Sequence, residues 1–339
     1  FALCAYTTGG RDINLDILRV DGYRKFCNKI YQATKFALMR LGDDYVPSAT
    51  EGLSGKESLV EKWILHKLTV TSKIVNEALD KRDFLTSTSE IYAFWYTICD
   101  VYIENSKYLI DQGTPEQQKS AKDTLYILLD NTLKMIHPFM PFISEEMWQR
   151  LPKRSTEKSP ETIVKASYPV YREEYFNEKA LSDYDLILES VKTSRSILAQ
   201  FGILKEGKVI VESEAHYDLF VDQKDSIVSL IKAIKEVDVV KSASEVPEGC
   251  VLGSVTPETN VHVLVKGQVD LDAEIAKVHK KLEKATHFKK NLEKAVSVKD
   301  YEVKVKQEVQ EQNKTKLENY AAEIEGYEAT IANLKKLQI

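Results

Sequence analysis

Apolar side chains recur at helical spacing through residues 21–151. In the first segment, 21–41, they stand three or four positions apart and therefore share one side of a helix. These positions are Tyr23, Phe26, Cys27, Ile30, Thr34, Ala37, Leu38 and Leu41. The same period recurs in four later segments, 59–79, 89–110, 114–136 and 142–151. The pattern predicts five helices, and their short or moderate links indicate an α-helical bundle.

Local signals define the ends of the fourth helix. Thr114 precedes Pro115, and Gln117 stands three residues after the threonine. This order predicts an N-cap, a proline in the first turn and a glutamine that reaches back to complete a capping box. We expect the helix to end at His137, because Pro138 disfavours the α conformation of the residue before it.

The chain changes character after the bundle. Residues 152–178 are proline-rich and irregular, and they predict a linker that lies along the bundle surface. A helix at 179–200, one more helix at 224–236 and several short β-rich runs predict a small α+β domain over 179–266. The runs are 208–212, 217–221, 237–241, 250–255 and 260–266.

The last segment, 267–339, shows two heptad seams. The first comprises Leu271, Ile275, Val278, Leu282, Ala285, Lys289, Leu292 and Val296, and the second Leu317, Tyr320, Ile324, Tyr327, Ile331 and Leu334. Two seams with a non-periodic tip between them predict an antiparallel coiled-coil hairpin. The expected fold class is therefore mainly α, with a helical bundle, a small α+β domain and a terminal coiled-coil arm.

Composition narrows the classes of function. The 339 residues carry 47 Lys and Arg against 52 Asp and Glu, a net charge of −5, which excludes a globally basic nucleic-acid binder but not a local basic face. The four cysteines lack CxxC spacing, and no Gly-rich phosphate loop, HExxH or GxSxG motif appears. We therefore expect no catalytic, cofactor or metal site in this stretch. Because the chain begins with Phe1 inside an apolar stretch, we expect it to be part of a longer protein.

The outward face of the first helix carries a better-defined binding signal. At 100° per residue, five positions fall opposite the apolar stripe: Lys25, Lys29, Gln32, Phe36 and Arg40. A phenyl ring among cations and an amide suits single-stranded RNA, which needs stacking, phosphate neutralisation and base-edge hydrogen bonds. Residues 1–41 hold seven Arg or Lys and three Asp, a local charge of +4. Helical angles alone leave open the alternative that Phe36 packs against a neighbouring helix.

The predicted arm repeats this basic pattern. Residues 270–299 contain eight lysines and five acids, whereas 300–339 contain six lysines and eight acids. One side of the first arm helix carries Lys277, Lys280, Lys281, Lys284, His287 and Lys294. Lys289 even occupies a seam position. A nucleic-acid contact and a plain solubilising coiled-coil surface both account for this pattern.

Several segments resemble the class I aminoacyl-tRNA synthetases for valine, leucine and isoleucine. They are FALCAYTTGGRDINLD (1–16), YRKFCNKIYQATKFAL (23–38), EKWILHKL (61–68) and HPFMPFISEEMWQRLP (137–152). GRDINLD followed by NKIYQATKF is most similar to the valyl-tRNA synthetases of the eukaryotic cytosolic type. LVKGQVDLDAEIAKVHKKLEK (264–284) resembles the terminal coiled-coil arm of that family. The resemblance extends over essentially the whole chain and is weak over 180–260.

The resemblance implies the tRNA-handling part of such a ligase. Residues 1–20 would form the junction to the catalytic core, 21–151 the anticodon-binding bundle and 267–339 an arm against the outer corner of the tRNA. The nucleotide-binding motifs and editing insertion of the family would precede Phe1. In this family an aromatic residue on the first bundle helix stacks on anticodon bases, and that position falls on Phe36.

The resemblance also implies partners and cofactors. The expected partners are tRNA(Val) and the N-terminal catalytic core of the same polypeptide, without a membrane. The complete enzyme would use ATP with magnesium to attach valine to tRNA in the cytoplasm, and an additional mitochondrial form stays open. The alternatives are the isoleucyl or leucyl enzyme and a non-enzymatic RNA-binding or scaffold protein. The expected tRNA-binding residues are Arg19, Lys25, Lys29, Gln32, Phe36, Arg40, Lys277, Lys280, Lys281, Lys284, Lys290 and Lys294.

Overall fold

The fold consists of helices and one small sheet. The computed structural model describes residues 1–6, 16–48, 51–154, 160–267, 271–297 and 307–338. It divides into one unit of residues 1–188 with 225–230, and a second of residues 189–224 with 231–339. The predicted mainly α fold class is confirmed. The domain boundaries placed at 21, 152, 179 and 267 stay predictions.

The first unit is built from helices. They are α1 (Ile17–Leu41), α2 (Leu59–Asp80), α3 (Phe84–Thr97), α4 (Ile103–Gln112), α5 (Pro115–Ile136), α6 (Pro141–Gln149) and the beginning of α7 (Glu178–Gln200). A five-residue π segment, Ile98–Tyr102, joins α3 to α4, so the predicted third helix is one continuous rod with a local change of winding.

Helix ends follow the capping chemistry of the sequence. The predicted capping box at Thr114 and Gln117 is present, and α5 ends at Ile136 with His137 as its C-cap residue. The first helix begins at Ile17, four residues earlier than predicted. The cause is Asp16, whose carboxylate accepts the Leu18 backbone N–H at 2.9 Å and so caps an extra turn.

The predicted apolar stripe of α1 faces the bundle core. Its buried members are Phe26, Ile30, Thr34, Ala37 and Leu41. The largest core side chains come from α2, α3 and the π segment, namely Trp63, Trp95 and Tyr102. The Tyr102 hydroxyl donates to the Ala121 carbonyl at 2.9 Å, which satisfies a polar group that burial would otherwise penalise.

Residues 160–178 lie against α2 and α6. Ile163 and Tyr175 are buried. The Asn76 amide of α2 donates to the Pro169 carbonyl at 2.8 Å, and the Thr69 hydroxyl donates to the Arg172 carbonyl at 3.0 Å. These bonds tie the irregular segment to regular helix.

The second unit contains a four-stranded sheet. Its strands are β1 (Gly207–Glu212), β2 (Ile234–Val240), β3 (Cys250–Thr256) and β4 (Thr259–Leu264), in the order β2-β1-β4-β3. Strands β1 and β2 are parallel, and the other pairs are antiparallel. Gly253 permits the close approach of α7, because a Cβ there would meet Thr193 and Ile197 at 2.6 and 2.7 Å.

Two predictions for residues 217–236 are wrong. The run 217–221 is not a strand but part of helix α8 (Tyr217–Asp222), which packs against β2 and buries only Phe220 among these five residues. The predicted helix 224–236 ends early, since α9 covers Lys224–Leu230 and β2 starts at Ile234. Short apolar runs do not distinguish a helical turn from a strand, and here the tertiary packing decides.

The arm segment forms two long helices. They are α10 (Leu271–Val296) and α11 (Gln307–Gln338), and they pack extensively against one another. Ile275, Ala285 and Ile331, all seam positions, are buried. The coiled-coil character of the pair stays a prediction. In the part of the chain that the structure describes, no helix is both long enough and apolar enough to cross a membrane.

Candidate nucleic-acid interface

The outward face of α1 lies beside the π segment and α4, and carboxylates from both meet its cations. The Lys29 ammonium lies 3.0 Å from the Asp100 carboxylate. The Arg40 guanidinium donates to both carboxylate oxygens of Asp111, at 2.7 and 3.0 Å. Such a two-point contact fixes the orientation of the guanidinium plane as well as its position. The two outward cations are therefore held in place rather than freely solvated.

Phe36 lies half-buried between two cations. The Arg40 Cζ atom is 5.4 Å from its ring centroid, and the Lys107 Nζ atom of α4 is 5.2 Å from it. Both distances are within the range of cation–π attraction. Lys107 also pairs with Glu104 at 2.7 Å. The Phe36 ring is thus partly exposed and partly packed against α4. It combines the two arrangements that the helical angles left open, an outward ring and a ring packed on a neighbouring helix.

Lys29 lies over an aromatic ring. Its Nζ atom is 3.4 Å from the ring centroid of Tyr96, which belongs to α3. The neighbouring Cys99 thiol, on the π segment, is largely enclosed, and burial raises its pKa to about 12. The thiol therefore stays protonated near neutral pH and does not act as a nucleophile.

The other predicted residues of α1 are exposed. Lys25 and Gln32 point into solvent. Arg19 is also exposed, 3.8 Å from the Asp16 carboxylate and 5.2 Å from the ring centroid of Tyr6. The structure therefore brings Phe36 and Arg40 into one cluster and places Arg19 at the far end of the same helix, 21 positions earlier.

The predicted arm lysines are exposed where their side chains are described. These are Lys280, Lys284, Lys290 and Lys294. The side chains of Lys277 and Lys281 lie outside the described residues. Lys289, at its seam position, is half-buried and 3.9 Å from the Glu293 carboxylate.

Three residues of the α1 cluster escaped the sequence reasoning. They are Asp100, Lys107 and Asp111, and each lies 71 positions from its partner on α1. No local pattern connects residues at that separation. The signals that pointed to this face were the angular positions on α1, the local charge of residues 1–41 and the family resemblance at Phe36, and all of them concern residues 1–41 alone. Among the residues that the structure describes, no group of three or more His, Cys, Asp or Glu side chains could hold a metal ion.

Comparison with known proteins identifies the family. Residues 61–213 match the model of the anticodon-binding domain of tRNA ligase. Over its whole length, the chain is 73% identical in sequence to the mitochondrial valine–tRNA ligase of Saccharomyces cerevisiae, and it covers 31% of that protein. Over 99% of its length, the chain is 36% identical in sequence to the valine–tRNA ligase of Mus musculus, and it covers 27% of that protein. The chain thus spans about a quarter to a third of the length of these relatives. It belongs to the valine–tRNA ligase family.

Proposed function

We propose that this chain is the tRNA-binding portion of a valine–tRNA ligase, recognising the anticodon through the outward face of α1. The observation that carries the proposal is the half-buried Phe36 ring with Arg40 and Lys107 beside it. Aromatic rings stack on unpaired bases at a gain of about 1–3 kcal/mol per base, and adjacent cations neutralise phosphate. The matched model supports anticodon binding by this chain over residues 61–213, which include Lys107 but not α1.

Each residue of this cluster has a distinct role in the proposal. Phe36 stacks on one anticodon base. Arg40 presents a fixed hydrogen-bonding edge, since Asp111 holds its guanidinium by two bonds. Lys107 moves aside when the base enters, because its single contact with Glu104 is weaker than the two-point Arg40 contact. Gln32 and Lys25 lie exposed on the same helix, where an amide reads a base edge and an ammonium meets the backbone.

The arm has a complementary role. Its exposed lysines Lys280, Lys284, Lys290 and Lys294 are suited to phosphate contact at the tRNA elbow. Contacts of this kind position the nucleic acid without reading its sequence. Lys277 and Lys281 are proposed for the same role from their place in the sequence. In this division, the bundle provides the choice of tRNA and the arm provides general affinity.

The activity of the complete protein is part of the proposal. It would join valine to tRNA(Val) with ATP and magnesium, through an N-terminal catalytic core of the same polypeptide. We assign the binding of ATP and magnesium to that core. Two relatives are named as mitochondrial and others carry no compartment in their names. We propose a cytoplasmic protein with an additional mitochondrial form.

Binding to tRNA transcripts tests the proposal. The 339-residue chain should bind a transcript with a valine anticodon more tightly than the same transcript with a changed anticodon. Affinity for both should fall steeply between 50 and 200 mM salt, because bound lysines and arginines release counterions. Equal affinity for the two transcripts would contradict anticodon recognition. Flat salt dependence would contradict the basic-face assignment.

Phe36→Ala locates the interaction, with Tyr31→Ala as matched control. Tyr31 is an exposed aromatic residue of the same helix and is outside the Phe36 cluster. We expect Phe36→Ala to remove the preference for the valine anticodon, whereas Tyr31→Ala preserves it. Equal loss of the preference in both variants would contradict a specific role of Phe36.

A further inference from the structure

Phe288 is an unusual side chain on the arm. It leaves 54% of its surface exposed, and within the described part of α10 and α11 no other large apolar side chain is exposed. It stands beside the heptad seam rather than on it, next to Lys289. The heptad seam itself therefore does not require an aromatic ring at this position.

The ring of Phe288 is nevertheless held in a defined orientation. Its centroid lies 6.3 Å from that of Tyr320 on α11, with 21° between the ring planes. This is an offset-stacked pair, the arrangement that aromatic rings favour. Tyr320 is itself a half-buried seam residue and so gives the stack a firm backing. The centroid of the neighbouring His287 ring lies 6.1 Å from that of Phe288 at 65°, edge to face, and more than half of the Phe288 surface stays exposed.

The helix that carries the ring is basic. Lys284 lies one turn before Phe288 on the same side of α10, and Lys290 and Lys294 lie farther round the helix, all three exposed. Helix α10 carries seven lysines and four acids, whereas α11 carries four lysines and six acids. The exposed ring therefore stands on the basic helix of the pair. Protein partners favour larger continuous apolar patches than a single ring. An exposed aromatic ring on a basic helix, with a lysine one turn away on the same side, fits a polyanion with aromatic rings.

We propose that Phe288, backed by Tyr320, is a stacking platform for an exposed base of the tRNA that the arm contacts. The proposal rests on the tRNA-binding function and adds a second stacking contact, remote in sequence from Phe36. Lys284 binds a phosphate next to the stacked base, and the phenyl ring covers one base face. The arm then makes an interaction of fixed geometry as well as a diffuse electrostatic one.

Two substitutions of one residue test the platform in the complete 339-residue chain. Phe288→Leu keeps an apolar side chain against Tyr320 and removes the ring, whereas Phe288→Trp keeps a ring. With a tRNA transcript carrying a valine anticodon, Phe288→Leu should weaken binding roughly five- to hundredfold, the equivalent of one lost stack. The slope of affinity against salt should not change, since no cation is removed. Phe288→Trp should bind the transcript about as tightly as the unmodified chain.

The Phe288→Trp variant offers a direct readout that does not depend on loss of binding. The native tryptophans, Trp63, Trp95 and Trp148, are buried in the first unit, so the added indole is the exposed one. Saturating tRNA should quench its fluorescence beyond any change in the unmodified chain. Equal affinity of Phe288→Leu and the unmodified chain would overturn the platform, as would the absence of added quenching.

The result is separable from that of the proposed function. If Phe36→Ala removes anticodon preference and Phe288→Leu changes nothing, the platform fails and the tRNA-binding function stands. If the unmodified chain binds no tRNA, both fail. Circular dichroism of the variants controls for loss of the arm helices. A Phe288→Leu variant of normal helix content and weaker binding, with Phe288→Trp restoring it, supports the platform.

Discussion

The two basic surfaces of this chain are built in opposite ways. On the bundle, the side chains of Lys29 and Arg40 are only 27% and 24% exposed, and each meets a carboxylate from another part of the unit. On α10, Lys284 and Lys294 are exposed. The bundle cations have lost part of their hydration and most of their conformational freedom before any ligand arrives. The arm cations keep both.

This difference separates specificity from affinity. A cation fixed by a bidentate partner discriminates between ligands by geometry, because a misplaced ligand group cannot recruit it. A solvated lysine follows any phosphate and gains through counterion release, which depends on salt and not on base sequence. The bundle should therefore respond to small changes of shape, and the arm to changes of charge and ionic strength.

The largest expected effect contrasts one aromatic residue from each region. Phe26 is 1% exposed and lies 4.7 Å, centroid to centroid, from Tyr92. Phe26→Ala should lower the free energy of unfolding of the bundle by about 3–5 kcal/mol, as for a fully buried ring. Phe288→Ala should cost much less, because most of that side chain is already in water. Urea denaturation of both variants measures the difference.

Tryptophan fluorescence is the suitable probe for this comparison. All three tryptophans belong to the first unit, so their signal reports on the bundle. Circular dichroism at the same urea concentrations includes the arm helices. A small loss for Phe26→Ala, similar to that for Phe288→Ala, would contradict the assignment of Phe26 to a tightly packed core.

A smaller effect is expected for Arg40→Lys. Lysine keeps the charge but cannot make two parallel bonds to Asp111, so its position is no longer fixed. We expect the preference for the valine anticodon to fall by about 1.5–3 kcal/mol, the size of one charge-assisted hydrogen bond. The control is the reverse substitution on the arm, Lys284→Arg, which also keeps the charge. It should leave the anticodon preference unaltered. Equal effects of the two substitutions would remove the proposed division of roles.

Neutralising arm lysines tests the other side of the comparison. In the variant Lys284→Gln, Lys294→Gln, two exposed cations are lost and no packing changes. If both bind phosphate, the slope of log affinity against log salt should become shallower by about 1.4–1.8 in total. Binding to the valine and the changed anticodon should weaken alike. An unchanged slope, measured by titration between 50 and 200 mM salt, would assign these lysines to solubility alone.

The parts that could be predicted from the sequence are those governed by neighbours along the chain. The capping box at Thr114 and the buried stripe of α1 depend on residues within a few turns, and both are confirmed. The prediction of a strand at 217–221 failed because five residues are too few to distinguish an apolar repeat of two residues, typical of a strand, from one of 3.6 residues, typical of a helix. Its conformation depends on packing against β2.

The candidate site shows the same limit. Helical angles placed Phe36 opposite the core of α1 without knowledge of α4. They could not reveal that Asp100 and Asp111 hold the outward cations, because each carboxylate lies 71 positions from its partner and is brought to it only by tertiary packing. Whether Phe36 reads an anticodon stays a prediction.

The smallest expected effect concerns pH and a buried carboxyl of the bundle. Glu61 is 1% exposed and accepts hydrogen bonds from the Ser58 N–H at 2.7 Å, the Ser120 hydroxyl at 2.7 Å and the Thr124 hydroxyl at 3.3 Å. Burial raises its pKa above the ordinary value of 4.5, and these donors offset the effect only in part. The arm helices, whose described acids are mostly exposed, provide no comparable enclosed carboxyl.

The sign of the pH effect follows from the raised pKa. Between the unfolded value near 4.5 and the higher folded value, the folded chain holds a proton that the unfolded chain has released. The contribution of Glu61 to the free energy of unfolding is therefore complete at low pH and declines as pH rises, by at most about 1.4 kcal/mol per pH unit. Glu61→Gln removes this titration and keeps the side-chain shape. Urea denaturation followed by tryptophan fluorescence from pH 4.5 to 7.5 should show the stability of the unmodified chain relative to Glu61→Gln declining with pH. A relative stability that is constant or rises would show that the donors outweigh burial.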